Sequence, residues 1–321
     1  MKPTFHHFPV NGIFEDPVVY LRFLRQRRAF LFDAGDVSAL SSREINKITD
    51  LFITHTHIDH FIGFDRILRL LLRRELPLRV YGPEGIIDAV KGKLRGYAWN
   101  VISEYPLQII VHEVIKETII IEKFSASERF EPVNHGEMAC KGIILKEDDI
   151  QMRVAVLEHD IPVLAFALEE NEHINIDKAR LLEKGLSVGP WLSDFKDAVR
   201  KGHWHREFHL NNRLYRTIDL MDIAIITEGQ KVSYVMDVSP AEDNIERIIE
   251  LVKGSHTLYI ECYFLQEDFP RAIERRHLTA EIAGRIARDA SVREIVPLHI
   301  SPKYRDLPER VLDEAQQAFR H

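Results

Sequence analysis

The stretch Thr54-His55-Thr56-His57-Ile58-Asp59-His60 puts three histidines and an aspartate within six positions. It follows the apolar run Asp50-Leu51-Phe52-Ile53, which reads as a buried strand, so the cluster lies where a strand gives way to a loop. On extended backbone, residues two apart point the same way, so His55 and His57 can face one metal ion together. Asp59 and His60 come as the chain turns into Phe61-Ile62-Gly63-Phe64-Asp65, and can face a second ion. Imidazole nitrogens with a carboxylate suit zinc and its borderline-soft relatives. A polar loop that merely happens to hold three histidines fits this density poorly. Four or five ligands in one stretch cannot complete two metal sites, so the rest of the chain must supply more.

Strand ends are where those ligands are expected. Val154 to Leu168 reads as strand, His159, a turn with Pro162, then strand, and a histidine at such a corner can reach a metal at a sheet edge. His135 competes with it, but Val133-Asn134-His135-Gly136-Glu137 looks like a polar loop, so His159 is preferred. Ser233 to Ser239 is a strand reaching Asp237, which can bridge two ions; Thr257 to Cys262 carries Glu261 at its end; Glu294 to His299 is a last strand ending in histidine. His277 stands just ahead of a helix expected over 280–290, and His112 reads as a surface strand histidine rather than a ligand. The bland readings are a strand-end ion pair for Glu261 and a helix-start residue for His277.

Further elements complete the frame. Strands are expected at 17–23 and 29–33, a helix over 66–76, strand and helix start around 78–86, strands across 107–124, a helix over 241–252 capped near Ser239, and a closing helix over 307–320. Strands alternate with helices through the second half, which favours an α/β fold of two mixed sheets sandwiched between helices. The 321 residues, 45% hydrophobic, suffice for one large core or two. A net charge of −7 excludes a protein that binds nucleic acid by bulk charge, so a polyanion must be met by local patches or metals. Two cysteines, Cys140 and Cys262, make a disulfide framework unexpected and a reducing cytoplasm the default. No signal-peptide core or membrane-length apolar run is read, so no membrane partner is expected. Residues 178–206 run against the trend: seven Lys or Arg against three Asp or Glu, in a chain where acids win 50 to 43. A charge run is usually a solvated face, but this one is interleaved with Trp191 and His203-Trp204-His205, which raises a nucleic-acid reading.

H-x-H-x-D-H resembles the signature of the metallo-β-lactamase superfamily, and further stretches narrow the likeness to the ribonuclease Z family, endonucleases that trim the 3′ end of precursor tRNA. Ile260-Glu261-Cys262-Tyr263-Phe264 looks like the family's HEAT-F element, His277-Leu278-Thr279-Ala280 like its HST element, and His299-Ile300-Ser301-Pro302-Lys303-Tyr304 is similar to its closing motif. Gly189-Pro190 resembles part of its protruding tRNA-binding arm. The resemblance implies an αββα sandwich over residues 1–321 with an inserted arm at 178–206. It implies two Zn²⁺ or other divalent ions: His55, His57 and His159 on one, Asp59, His60 and His299 on the other, and Asp237 bridging. Such ions lower the pKa of water toward ~7. Asp59 would orient the nucleophile, while Glu261 would orient His277 to protonate the departing oxygen. In the superfamily an aspartate placed like Asp33 holds a ligand histidine; its plain alternative is a turn residue before Gly35. The implied partner is precursor tRNA, and family members are often homodimers. Departures lie at the amino terminus, where Phe8 to Phe14 carries neither the family's glycine-rich opening nor its arginine loop, and at Met236-Asp237-Val238 in place of Gly-Asp-Thr. They leave room for two rivals: a same-fold hydrolase of small phosphodiesters or sulfate esters, and a non-catalytic RNA-binding member.

Overall fold

Strands Ala29–Phe32 and Thr257–Glu261 are buried at every position, so they read as unbroken apolar runs rather than alternating ones. Each lies inside one of two mixed sheets in the computed structural model, which describes residues 4–321. The first sheet has eight strands in chain order, from Phe5–Pro9 to Pro132–Ala139. Its centre, Ala29–Phe32, Ile48–Phe52, Leu78–Pro83 and Gln108–Ile115, is parallel. The second has six strands, with Lys231–Val235, Thr257–Glu261 and Ile295–Leu298 parallel at one side. Aromatic rings fill the space between the sheets: Phe166 lies 5.6 Å from Phe52 and 6.1 Å from Phe32, and Tyr234 5.5 Å from Phe32. Truncating the fully buried Phe166 to Ala would cost about 3–5 kcal/mol.

Helices cover the outer faces. Ile67, Leu68 and Leu71 of Phe64–Leu71 and Val90 and Leu94 of Ile86–Arg95 pack with Leu51, Val80 and Val111 of the first sheet. Ile248 of Glu242–Val252, Ile286 of Ala280–Asp289 and Val311 of Pro308–Arg320 pack with Leu258 and Ile260 of the second. The result is the αββα sandwich of the metallo-β-lactamase fold. It belongs to a unit comprising the described chain to Glu147, Gln151–Glu169 and Lys231–His321.

A smaller unit takes in Asp148–Ile150 and Glu170–Gln230. Helices Lys178–Glu183 and Trp191–Arg200 share a core with Phe208, Leu220 and Ile223. The segment 178–206 is therefore part of a longer folded piece whose packing needs residues beyond it. Five of its seven basic residues pair with aspartates, Arg180 with Asp177, Lys184 with Asp222, Arg200 and Lys201 with Asp197, and Arg206 with Asp194. Over Glu170–Gln230 the balance is nine basic to ten acidic residues, so the local excess does not survive at the scale of the unit.

Some elements differ from expectation. Residues 132–139 form a strand, not a loop: Pro132–Ala139 pairs with Thr118–Ser125 at the sheet edge, and most of its side chains are exposed, so no alternation betrays it. Phe5–Pro9 adds a strand that the sequence had not indicated, and the helix expected over 66–76 is Phe64–Leu71. Helix Glu242–Val252 starts after Ala241 without a side-chain cap, because the N-cap position falls on Ala241, which has no side-chain acceptor, two residues beyond Ser239. Among the described residues no helix is long and apolar enough to cross a membrane, and both cysteines are unpaired and buried.

Candidate metal centre

Strands deliver most of the centre at their carboxyl ends, and the short helix Ile58–Phe61 carries Asp59 and His60. Asp33 follows Ala29–Phe32, the stretch Thr54–His57 follows Ile48–Phe52, His159 follows Ile150–Glu158, Asp237 follows Lys231–Val235, Glu261 closes Thr257–Glu261 and His299 follows Ile295–Leu298. Asp33, Asp237 and His299 turn sharply away from their strands in the left-handed region, with φ of 53°, 50° and 52°. That region costs a non-glycine residue about 1–2 kcal/mol, and such strain gathers at functional sites. The loops carrying Asp33 and His60 approach backbone to backbone: the Ala34 amide donates to the His60 carbonyl (2.8 Å) and the Gly63 amide to the Ala34 carbonyl (2.7 Å). A Cβ on Gly63 would sit 2.1 Å from the Gly35 carbonyl oxygen, so glycine is required there.

Asp237 is the hub. Its Oδ2 lies 3.4 Å from His55 Nε2, 3.3 Å from His60 Nε2 and 4.0 Å from His159 Nε2, and its Oδ1 lies 2.7 Å from His299 Nδ1. Asp59 Oδ2 is 3.6 Å from His60 Nε2 and 3.3 Å from His299 Nε2. His57 and His159 join Asp237 in one donor group; Asp59, His60 and His299 form another; His55 and His60 form a third with Asp237. All seven residues expected as ligands are thus brought together, whereas among the described residues His112 and His135 enter no such group. His112 is stacked on Tyr81 instead, 4.4 Å between centroids.

The other ring nitrogens are held. His60 Nδ1 meets Asp33 Oδ2 at 2.8 Å, His55 Nδ1 meets Thr54 Oγ1 at 3.1 Å, and His159 Nδ1 donates to the Arg276 carbonyl at 2.6 Å. With Nδ1 engaged, Nε2 carries the lone pair toward the centre. Asp33 is itself fixed by the Thr54 amide (2.7 Å), the Thr54 hydroxyl and the Tyr234 hydroxyl (3.0 Å), so it is more than a turn residue. Tyr234 and the Arg276 carbonyl carry no signal in the sequence. His55 Nε2, His60 Nε2, Asp237 Oδ1 and His299 Nδ1 are buried without a hydrogen-bond partner. Orphans of this kind cost about 1–3 kcal/mol each unless a ligand takes them up. His299 Nδ1 and Asp237 Oδ1 are close yet not aligned as donor and acceptor, the arrangement of two atoms aimed at a shared third. This donor set fits divalent metal ions.

Electrostatics agree. Burial opposes the charge on His60, but Asp237 and Asp33 outweigh it and hold the ring up to about 10. Burial likewise opposes a charged His299, and Asp237 overcomes it, pushing that imidazole well up. Asp237 is driven well below the carboxylate range against its own burial, by His299 and His60, and Asp59 falls to about 2 against burial through His299 and His60. His55 goes down to about 4, mainly from burial and then from the charge of His60. The carboxylates draw positive charge to this point, as protons or as metal ions.

Beside the centre, Glu261 is fully buried and accepts from the Val238 amide (2.6 Å) through one oxygen and from His277 Nδ1 (2.8 Å) through the other. Tyr263 stacks on His277, centroids 3.9 Å apart and planes 7° from parallel. A cleft of about 350 Å³ opens here, lined by His57, Asp59, His159, Asp237, His277 and His299, with Tyr263, Arg271 and Arg275 around them.

No family model matches the chain. It is similar to the ribonuclease Z of Deinococcus radiodurans, 27% identical over 297 residues covering 90% of this chain and 87% of that protein. It is also 27% identical to the ribonuclease Z of Brevibacillus brevis over 318 residues, 93% of this chain and 85% of the other. Among solved structures, human tRNase Z, short form, superposes with a TM-score of 0.55 at 16% identity, covering 93% of each chain. The metallo-β-lactamase fold protein YhfI from Bacillus subtilis gives 0.55 at 13% identity, covering 98% of this chain and 93% of its own. These structural likenesses establish the fold.

Proposed function

We propose that this chain is a metal-dependent endoribonuclease that cleaves the 3′ trailer from precursor tRNA. The observation that carries the reading is the convergence of seven ligand-type side chains, Asp237 among them, beside a Glu261–His277 pair, in a chain similar to ribonuclease Z over nine tenths of its length. His55, His57 and His159 would hold one Zn²⁺, Asp59, His60 and His299 the other, and Asp237 both. Bound there, the ions would supply Lewis acidity and a water of lowered pKa at neutral pH. The chain's own residues do the rest. The Asp59 carboxylate, at the cleft wall, accepts a hydrogen bond from an incoming water and turns its oxygen toward the phosphorus, where the new P–O bond forms. With Nδ1 held by Glu261, the His277 ring presents Nε2 to the oxygen that leaves as its P–O bond breaks, and transfers a proton to it. Tyr263 keeps that ring in plane, and the burial of Glu261 keeps the carboxylate from turning to solvent. Residues 178–206, as part of the Glu170–Gln230 unit, would bind the tRNA body, with Trp204, 43% exposed, as a stacking surface. A reducing cytoplasm suits the two unpaired cysteines.

Incubation with a precursor tRNA beside bis(p-nitrophenyl) phosphate, with metal measured on the same sample, tests the reading. Cleavage of both substrates is expected. Hydrolysis of the small diester without cleavage of the tRNA would move the substrate to small phosphodiesters, and inertness toward both in a metal-loaded sample would leave a binding protein.

A further inference from the structure

Helix Phe269–Arg275 carries two arginines at positions i and i+4, Arg271 and Arg275, which leave the same face of the helix. Both line the cleft beside Asp237, His277 and His299. Their neighbour Arg276 is spent elsewhere, in an ion pair with Asp160 at 3.1 Å. Among the described residues, Arg275 faces no paired carboxylate, and the carboxylate whose charge Arg271 feels, Asp268, is already held by Lys303 and Tyr304. Arg271 lies over the Phe264 ring, 5.8 Å to its centroid, which steadies the guanidinium without neutralising it. Arg275 in the last turn suits the helix dipole, but two like charges one helical turn apart repel, which works against placing both on the cleft face. In the smaller unit, by contrast, most basic side chains of 178–206 are already matched by aspartates.

The geometry points to a phosphate subsite made by Arg271 and Arg275, which grips the phosphate next to the scissile one in a polynucleotide; the inference rests on the phosphodiesterase reading of the adjacent centre. One phosphodiester would be met by the metal centre. A chain of nucleotides brings a second, and a planar guanidinium can bind two of its oxygens at once. A small diester has no second phosphate to offer, so the pair separates polymer from small-molecule substrates.

The test is direct binding of a fluorescent, 2′-O-methylated oligoribonucleotide to the metal-loaded protein, followed by anisotropy across a salt series. Arg271→Gln/Arg275→Gln protein should bind at least about tenfold more weakly, with a slope of log affinity on log salt shallower by about 0.7, the share of one phosphate on a single strand. Arg271→Lys/Arg275→Lys protein should recover the slope and only part of the affinity, since charge returns but bidentate geometry does not. Hydrolysis of bis(p-nitrophenyl) phosphate should fall less than oligonucleotide affinity does. Arg310→Gln, which removes a surface cation paired with Glu267, serves as charge control with wild-type slope. Wild-type affinity and slope in the double Gln variant, or an equal loss in the Arg310 control, would overturn the subsite. Binding needs no tRNA cleavage, so a protein inert toward precursor tRNA but salt-sensitive through these arginines would sink only the tRNA reading.

Discussion

Asp33 supports the centre without being among its expected ligands. It takes hydrogen bonds from the Thr54 backbone and hydroxyl, from Tyr234 on the opposite sheet and from the His60 ring. Removing it frees the His60 ring to turn, so Asp33→Ala should lose about 10–100-fold in metal affinity, read by competition with a chelating dye; wild-type affinity would show the aspartate to be a turn residue after all. Asp237→Asn keeps a side chain that tolerates the left-handed backbone but removes the charge shared by five histidines, His277 included. It should lose most bound metal and essentially all hydrolysis, measured by metal analysis and turnover on one sample. His277→Ala should keep its metal and slow RNA cleavage by about 10²–10⁴-fold, with a smaller loss on bis(p-nitrophenyl) phosphate, whose leaving group needs no proton. Equal losses on both substrates would remove the proton-donor role. Histidines and carboxylates after apolar runs were legible as candidate ligands because their chemistry is carried by residue type. Tyr234 and the Arg276 carbonyl were not, since a tyrosine in a buried strand and a backbone oxygen look alike wherever they occur.

At the scale of elements, strands that are buried on both faces were readable from their composition, and Pro132–Ala139 was not, because an edge strand with exposed side chains has the composition of a loop. His112, expected at the surface, is half-buried in its strand because its ring lies flat on Tyr81. Its ring, stacked on Tyr81, is pushed down to about 4 by burial and then by the charge of Arg79, against about 6.5 in the unfolded chain. Between those values the unfolded state binds more protons, so the stabilisation is complete above pH 6.5 and is lost as pH falls toward 4. His112→Gln should therefore flatten the acid limb of stability in that window, by on the order of 3 kcal/mol. Urea unfolding of both proteins at several pH values would show it, and parallel curves would contradict it. The contact of the Asp33 and His60 loops makes a second element-scale case: Gly63→Ala forces a Cβ into the Gly35 carbonyl, so it should lower both metal affinity and the unfolding midpoint.

For the whole molecule, the αββα sandwich was legible from the alternation of strands and helices, while the smaller unit was seen only in part. Its helical, basic stretch stood out, but its ribbons are short and its partners, Phe208, Leu220 and Ile223, are scattered along the chain. This decides how the unit can be removed. Excising 178–206 would strip the partners from that core, whereas the Glu170 amide donates to the Gln230 carbonyl at 2.8 Å, so a short glycine-containing turn can replace 171–229. Such a protein should still hydrolyse bis(p-nitrophenyl) phosphate and lose cleavage of precursor tRNA, mainly through weaker binding; undiminished tRNA cleavage would show that the unit has no part in it. The most direct measurement is to map the 3′ ends produced from a precursor tRNA with a defined trailer by the metal-loaded protein, before and after chelation. The prediction is one discrete cut at the base of the trailer that chelation abolishes and Zn²⁺ restores. An uncut precursor in a sample that carries metal and turns over a small diester, or a cut that survives complete metal removal, would contradict it.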